Sequence, residues 1–235
     1  MKIAPLYHSL KSGRLANSCI IHTGQHYDLN MSDTFFNDLG LPKPDLNLEV
    51  GSGSHVEQTA KVMINYEKVV QKDRPDLVVV VGDVNSTKAI TLTAVKLGIK
   101  VGHLEAGLRS FDRSMPEEIN RLVTDTLADI LWTPSPDADE NLMREGIEKK
   151  KIVRVGNIMI DSLEMLREKI QAREVYRQFG LQPGNYGVVT LHRPSNVDEK
   201  ESLRSICSKL ADIARKIPLV FPVHPRTEKY LKKNG

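Results

Sequence analysis

Cysteine is nearly missing from this sequence: Cys19 and Cys207 are the only two, far apart, and neither sits in a Cys-x-x-Cys or Cys/His spacing. That excludes a disulfide framework or a zinc site as the organising element. A charge excess of one sign is also missing, since 33 basic residues face 30 acidic ones and both are spread along the chain. No basic footprint for nucleic acid or an anionic membrane follows from such a balance. The longest purely apolar run is Leu77 to Val81, far below the roughly 20 residues that span a bilayer. Met1 to Gly13 has no apolar signal core, so the chain is expected to be cytoplasmic. There is no Walker loop, no Gly-x-Gly-x-x-Gly after a strand and no Gly-x-Ser-x-Gly elbow; kinase-like, dinucleotide and esterase readings lose their usual support. Internal repeats and low-complexity segments are absent too.

What remains is a chain of 235 residues with 40% hydrophobic content, enough to bury a core in one large domain or two small ones. Short β-branched runs alternate with amphipathic stretches, the pattern of a parallel sheet covered by helices. Strands are expected at Ser18–His22, Leu77–Val81, Val101–Leu104, Ile130–Thr133, Lys151–Val155, Gly187–Leu191 and Leu219–Val223. Helices are expected at Lys2–Leu10, His55–Lys72, Thr87–Leu97, Glu117–Ala128, Asp137–Glu145, Ile158–Phe179 and Ser202–Lys216. Pro116 stands where a helix would start and Gly98 where one would end. The Gly156-Asn157 pair ahead of the long charged helix suggests a domain joint, giving domains 1–156 and 157–235. The fold class is α/β, doubly wound.

Ligands of open parallel sheets bind beyond the carboxyl ends of the strands, so the residues there carry the functional reading. Asp83 follows one strand and Glu105 the next, while Glu117 opens the helix that begins at Pro116. Carboxylates gathered on one sheet edge suit acid/base work. Plainer readings stand beside these. Asp83 or Ser86 would cap the following helix; Glu105 would pair with Arg109 across a surface turn; Glu118 would serve the helix dipole. Further along, His192-Arg193 and His224-Pro225-Arg226 each follow a strand and precede a helical start, which suits a diphosphate held by Arg forks. For His224 a buried, hydrogen-bonded histidine is the competing reading. Thr23 to Asp28 reads as cleft wall.

Taken together, Thr23-Gly24-Gln25-His26, Gly82-Asp83, His103-Leu104-Glu105-Ala106-Gly107-Leu108-Arg109-Ser110, Pro116-Glu117-Glu118-Ile119-Asn120-Arg121, His192-Arg193 and Pro222-Val223-His224-Pro225 resemble the non-hydrolysing UDP-N-acetylglucosamine 2-epimerases. The resemblance implies a GT-B-like architecture of two Rossmann-like domains, the first bearing the acid/base residues and the second the nucleotide. It implies interconversion of UDP-N-acetylglucosamine and UDP-N-acetylmannosamine through a 2-acetamidoglucal, in the service of cell-surface polysaccharide biosynthesis. No cofactor and no metal are implied. The catalytic set carried over is Asp83, Glu105, Glu117 and His192, and the substrate-binding set is Lys2, Asp83, Glu105, His192 and Arg193. A UDP-sugar substrate and a homodimer are expected, with no nucleic-acid or membrane partner.

Set against the family pattern, the chain is expected to be truncated at both ends. The first domain would lack its first strand and the Gly-Thr-Arg-Pro loop, and the second would lack the Gly-Gly-x-x-Glu-Glu region. His192-Arg193-Pro194-Ser195-Asn196 stands where the family has His-Arg-Arg-Glu-Asn, which leaves the sugar preference open. Tyr27-Asp28 departs from members regulated by their own substrate, so such regulation is not expected. The alternatives are a GT-B glycosyltransferase, a hydrolysing epimerase, or an inactive fragment acting as a binding module.

Overall fold

The computed structural model describes residues 1–24 and 36–234, and these form two compact units, Met1–Arg167 and Glu168–Gly235. The division falls inside a helix, past the Gly156-Asn157 turn.

In the first unit, α1 (Ile3–Gly13) precedes a short parallel pair, β1 (Ile21–His22) with β2 (Leu46–Asn47). A second sheet has the order β3-β4-β5-β6, built from Leu77–Val81, Lys100–Leu104, Ile130–Thr133 and Ile152–Arg154, every pair parallel. The helices between them are α2 (His55–Lys72), α3 (Asn85–Lys96), α4 (Pro116–Leu127) and α5 (Pro136–Arg144). β4 has Val101 through Leu104 all buried, whereas β3 alternates, with Val78 and Val80 buried and Leu77 and Val79 partly exposed. That difference marks β4 as covered on both faces, as inner strands of parallel sheets are. Val62, Tyr66 and Val70, recurring at helical spacing on α2, pack with Val78, Val80, Ala89, Ala94, Val101, Leu131 and Leu142 in one core. Local chemistry places the helix starts. Ser54 accepts from the Glu57 N–H at 3.2 Å while Glu57 returns a bond to the Ser54 N–H at 2.8 Å, a complete capping box for α2. Pro116 occupies the first turn of α4 with Glu117 and Glu118 behind it.

The helix α6 (Ile158–Arg173) runs across the division. In the second unit, β7 (Gly187–Val188) pairs in parallel with β8 (Leu219–Val220), flanked by α7 (Pro194–Val197), α8 (Lys200–Ala214) and α9 (Pro225–Asn234). Leu191, Val197 and Leu203 form its core, with Phe221 and Tyr230 against them.

Leu77–Val81, Ile130–Thr133 and His55–Lys72 lie where the periodicity predicts them. The strands expected over Ser18–His22, Gly187–Leu191 and Leu219–Val223 are shorter, two paired residues each, because a ladder extends only where a neighbour supplies its hydrogen bonds. The helical stretch expected to reach Phe179 ends as α6 at Arg173, with a 3₁₀ turn at Val175–Phe179.

Candidate active site

Asp83 and Glu105 come together at the carboxyl ends of the adjacent strands β3 and β4, where the Gly82 N–H donates to the Leu104 carbonyl at 3.0 Å. Each acid already has a cation. Lys2, at the start of α1, forms an ion pair with Glu105, and Arg121 on α4 donates to Asp83 Oδ2 at 2.5 Å. The Glu105 carboxylate is mostly shielded, at 12% exposure, and Asp83 is more open at 30%. Glu105 also adopts a left-handed backbone, φ +73°, on a turn where its N–H and that of Ala106 both donate to the Trp132 carbonyl. A non-glycine residue held there carries strain, which collects at functional sites.

Two plainer readings of these acids fail. Asp83 does not cap α3, whose N-cap position is Val84 without a side-chain bond, because Arg121 engages its carboxylate. Glu105 does not pair with Arg109, because that guanidinium is turned inward, donating to Asp125 at 2.7 Å and to both oxygens of Glu145 at 2.7 and 2.6 Å. Burial pulls the Arg109 guanidinium downward, but the bonds and charges of Glu145 and Asp125 outweigh it and hold it above its ordinary value.

The neighbours Glu117 and Glu118 part company. Glu118, 2% exposed, accepts from the Ser110 N–H and hydroxyl, the Phe111 N–H and Arg121, at 2.9 to 3.0 Å. Burial pushes its carboxyl up, yet those donors prevail and keep it below the usual carboxylate range. The structural reading of Glu118 therefore holds. Glu117 is half-buried, and its side chain makes no hydrogen bond or ion pair among the described residues. It lies in the first turn of α4, one turn ahead of the two residues that engage Asp83: Arg121 at its carboxylate, and Asn120, whose Nδ2 donates to the Asp83 carbonyl at 2.8 Å.

In the second unit His192 and Arg193 follow the β7 segment and are exposed. The His192 and His224 rings lie 5.8 Å apart, and Arg226 forms an ion pair with Asp198 at 2.5 Å. His224 is exposed too, which overturns its reading as a buried histidine; its Nδ1 accepts from the Arg226 N–H. Thr23 and Gly24 lie beside β1, while Gln25, His26, Tyr27 and Asp28 lie outside the described residues.

A sequence profile described as UDP-N-acetylglucosamine 2-epimerase matches residues 8–235. The chain belongs to the UDP-N-acetylglucosamine 2-epimerase family. A relative in this family, the UDP-N-acetylglucosamine 2-epimerase homolog of Methanococcus maripaludis, is 46% identical over 99% of this chain and 64% of its own length. The UDP-2,3-diacetamido-2,3-dideoxy-D-glucuronate 2-epimerase of Pseudomonas aeruginosa is 43% identical over 92% of this chain and 61% of its own length. Among solved structures, the UDP-GlcNAc 2-epimerase of Methanocaldococcus jannaschii in complex with UDP-GlcNAc and UDP superposes with a TM-score of 0.87 at 45% identity, covering 99% of this chain and 65% of that one. This chain thus spans somewhat less than two thirds of the length of these family members. Its fold class is the family's, α/β and GT-B-like with Rossmann-like units.

Reasoning from sequence gave no role to Arg121, Asp125 or Asn120, and offered Arg109 only a pairing with Glu105, whereas its partners are Asp125 and Glu145. A signal for two of them existed: Glu118, Arg121 and Asp125 are spaced three and four apart, so they share one face of α4. Charges on that face of a helix are conspicuous where an apolar stripe would otherwise meet a sheet.

Proposed function

We propose that this protein is the acid/base and nucleotide-holding part of a non-hydrolysing UDP-N-acetylglucosamine 2-epimerase, interconverting UDP-N-acetylglucosamine and UDP-N-acetylmannosamine. In the forward direction a carboxylate takes the C2 proton, the electrons of the C–H bond form the C1=C2 double bond, and the C1–O bond breaks to release UDP with its electron pair. A second acid then returns a proton to the opposite face of C2, and UDP re-adds at C1. Because the C2 hydrogen is barely acidic, its removal must be coupled to departure of a stabilised leaving group. Asp83, Glu105 and Glu117 fill the acid/base roles in this reading, with Lys2 and Arg121 fixing the charge of two of them. His192 and Arg193 engage the diphosphate and the charge that develops on it. Residues 1–156 supply the acid/base groups and 157–235 the nucleotide contacts. The reaction needs no cofactor or metal, and the protein works as a cytoplasmic homodimer.

The observation that carries this reading is the two-acid junction of β3 and β4, where each carboxylate faces its own cation. A transferase needs fewer acids. Incubation of the intact protein with UDP-N-acetylglucosamine, followed by proton NMR, tests it. UDP-N-acetylmannosamine should accumulate with no free sugar. Free N-acetylmannosamine with stoichiometric UDP would mean a hydrolysing enzyme, and transfer to an added acceptor a glycosyltransferase. The likeness to the P. aeruginosa enzyme favours one second reading, the same chemistry on a diacetamido uronate sugar, which a comparison of kcat/KM for the two nucleotides decides.

A further inference from the structure

Beneath the two acid-bearing turns lies a polar cluster sealed from solvent. His103 in β4 and Asp125 on α4 are 0% and 1% exposed. His103 Nε2 lies 2.8 Å from the Gly82 carbonyl oxygen and Nδ1 lies 2.6 Å from Asp125 Oδ1. The other Asp125 oxygen accepts from the Gly107 N–H at 3.0 Å and from Arg109 at 2.7 Å.

Both ring nitrogens therefore face oxygens. A carbonyl oxygen only accepts, so Nε2 donates. The 2.6 Å contact also needs a hydrogen, borne by Nδ1 or by Asp125, because two bare lone pairs at that distance repel. Donors from Gly107 and Arg109 on the same carboxyl group favour its anionic form, which assigns the hydrogen to the ring. His103 is then a donor at both ends, and it reaches two separate segments. One is the Gly82 peptide, next to Asp83, whose N–H is already tied to Leu104. The other, through Asp125, is the stretch from Gly107 to Arg109 that follows Glu105.

We propose that His103, with Asp125, is a positioning residue: a buried imidazolium–carboxylate brace that ties the Asp83 turn to the Glu105 turn and sets the spacing of the two acids. No amide side chain can replace it, because Asn or Gln offers one donor group at one end of its reach, whereas the ring donates in two opposed directions. The proposal rests on the reading of Asp83 and Glu105 as acid/base groups. Its structural half does not.

Long-range proton–nitrogen NMR on the intact protein with ¹⁵N-labelled histidine tests the brace directly, His103 being assigned among the seven histidines by its loss in His103→Gln. Hydrogens on both ring nitrogens at pH 7.5 are expected; a ring with one bare nitrogen overturns the brace. In turnover assays, Asp125→Asn keeps the side-chain size and should lower kcat by roughly 10²-fold, the scale of a small misplacement of reacting groups, with KM changed less than about threefold. A kcat per folded molecule equal to that of the parent would refute the positioning role. If the parent protein itself shows no epimerisation, the functional reading falls and the NMR result still decides the brace. Should His103→Gln not fold, assignment passes to Asp125→Asn, whose His103 signals alone should move strongly.

Discussion

Glu117 and Glu118 are adjacent, carry the same side chain and are predicted to fail in opposite ways when converted to glutamine. Glu118 offers one oxygen to Ser110 and Arg121, which supply three donors, and the other to the Phe111 N–H. Glutamine would place its carbonyl oxygen toward the three donors and its amide toward Phe111, leaving one backbone N–H against another donor. That orphaned group costs about 1–3 kcal/mol, and the Arg121 bond loses its charge assistance, so the total is about 2–4 kcal/mol. The single tryptophan, Trp132, lies in β5 of the first unit and reports on that unit alone. Urea unfolding followed by its fluorescence should show the Glu118→Gln midpoint falling by on the order of 1 M. Glu117→Gln, with no bond to lose, should stay within about 0.5 kcal/mol of the parent while turnover falls by about 10²–10⁴-fold. Equal stability of the two variants, or a larger loss from Glu117→Gln, would refute the division of labour.

Other outcomes are equally definite. Asp83→Asn and Glu105→Gln should each lower turnover of the intact protein by about 10²–10⁴-fold, and a variant near normal removes that residue from the chemistry. Since Glu118 is held below its ordinary value in the fold, its contribution is full above about pH 4.5 and is lost as the pH falls through the lowered value. Acid titration of Trp132 fluorescence should therefore show a shallower stability loss for Glu118→Gln than for the parent, and parallel curves would contradict the assignment. A Cβ on Gly107, where φ is +81°, would run into the Ala138 carbonyl oxygen, so Gly107→Ala should cost at least about 1–3 kcal/mol by overpacking, read as a lower urea midpoint; an unchanged midpoint would show that α5 yields. Leu131→Ala, at a fully buried position, should cost about 2–5 kcal/mol in the same assay, and a loss below 1 kcal/mol would mean the core refills.

Much of the first unit was legible in the sequence. The β-branched run Leu77–Val81 and the apolar spacing along His55–Lys72 are strong periodic signals, and both elements lie where those signals put them. The short strands of the second unit were overdrawn, because residues such as Val189 to Leu191 and Phe221 to Val223 have strand-like composition but no ladder partners along their full length. At the site, the acids Asp83 and Glu105 could be placed from their positions after strands. Their cations could not: Lys2 and Arg121 are 103 and 38 residues distant from their partners, and no local spacing encodes such a pairing. The brace of His103 and Asp125 was hidden for the same reason, its members being 22 positions apart.

In the proposed reaction a proton leaves C2 and returns from water-exchanged acids while the sugar is parted from UDP. Incubating the intact protein with UDP-N-acetylglucosamine in D₂O measures it. One deuterium should appear at C2 of the epimerised product, and Asp83→Asn should suppress both the label and the epimerisation. Epimerisation that leaves the C2 hydrogen in place would rule that reaction out.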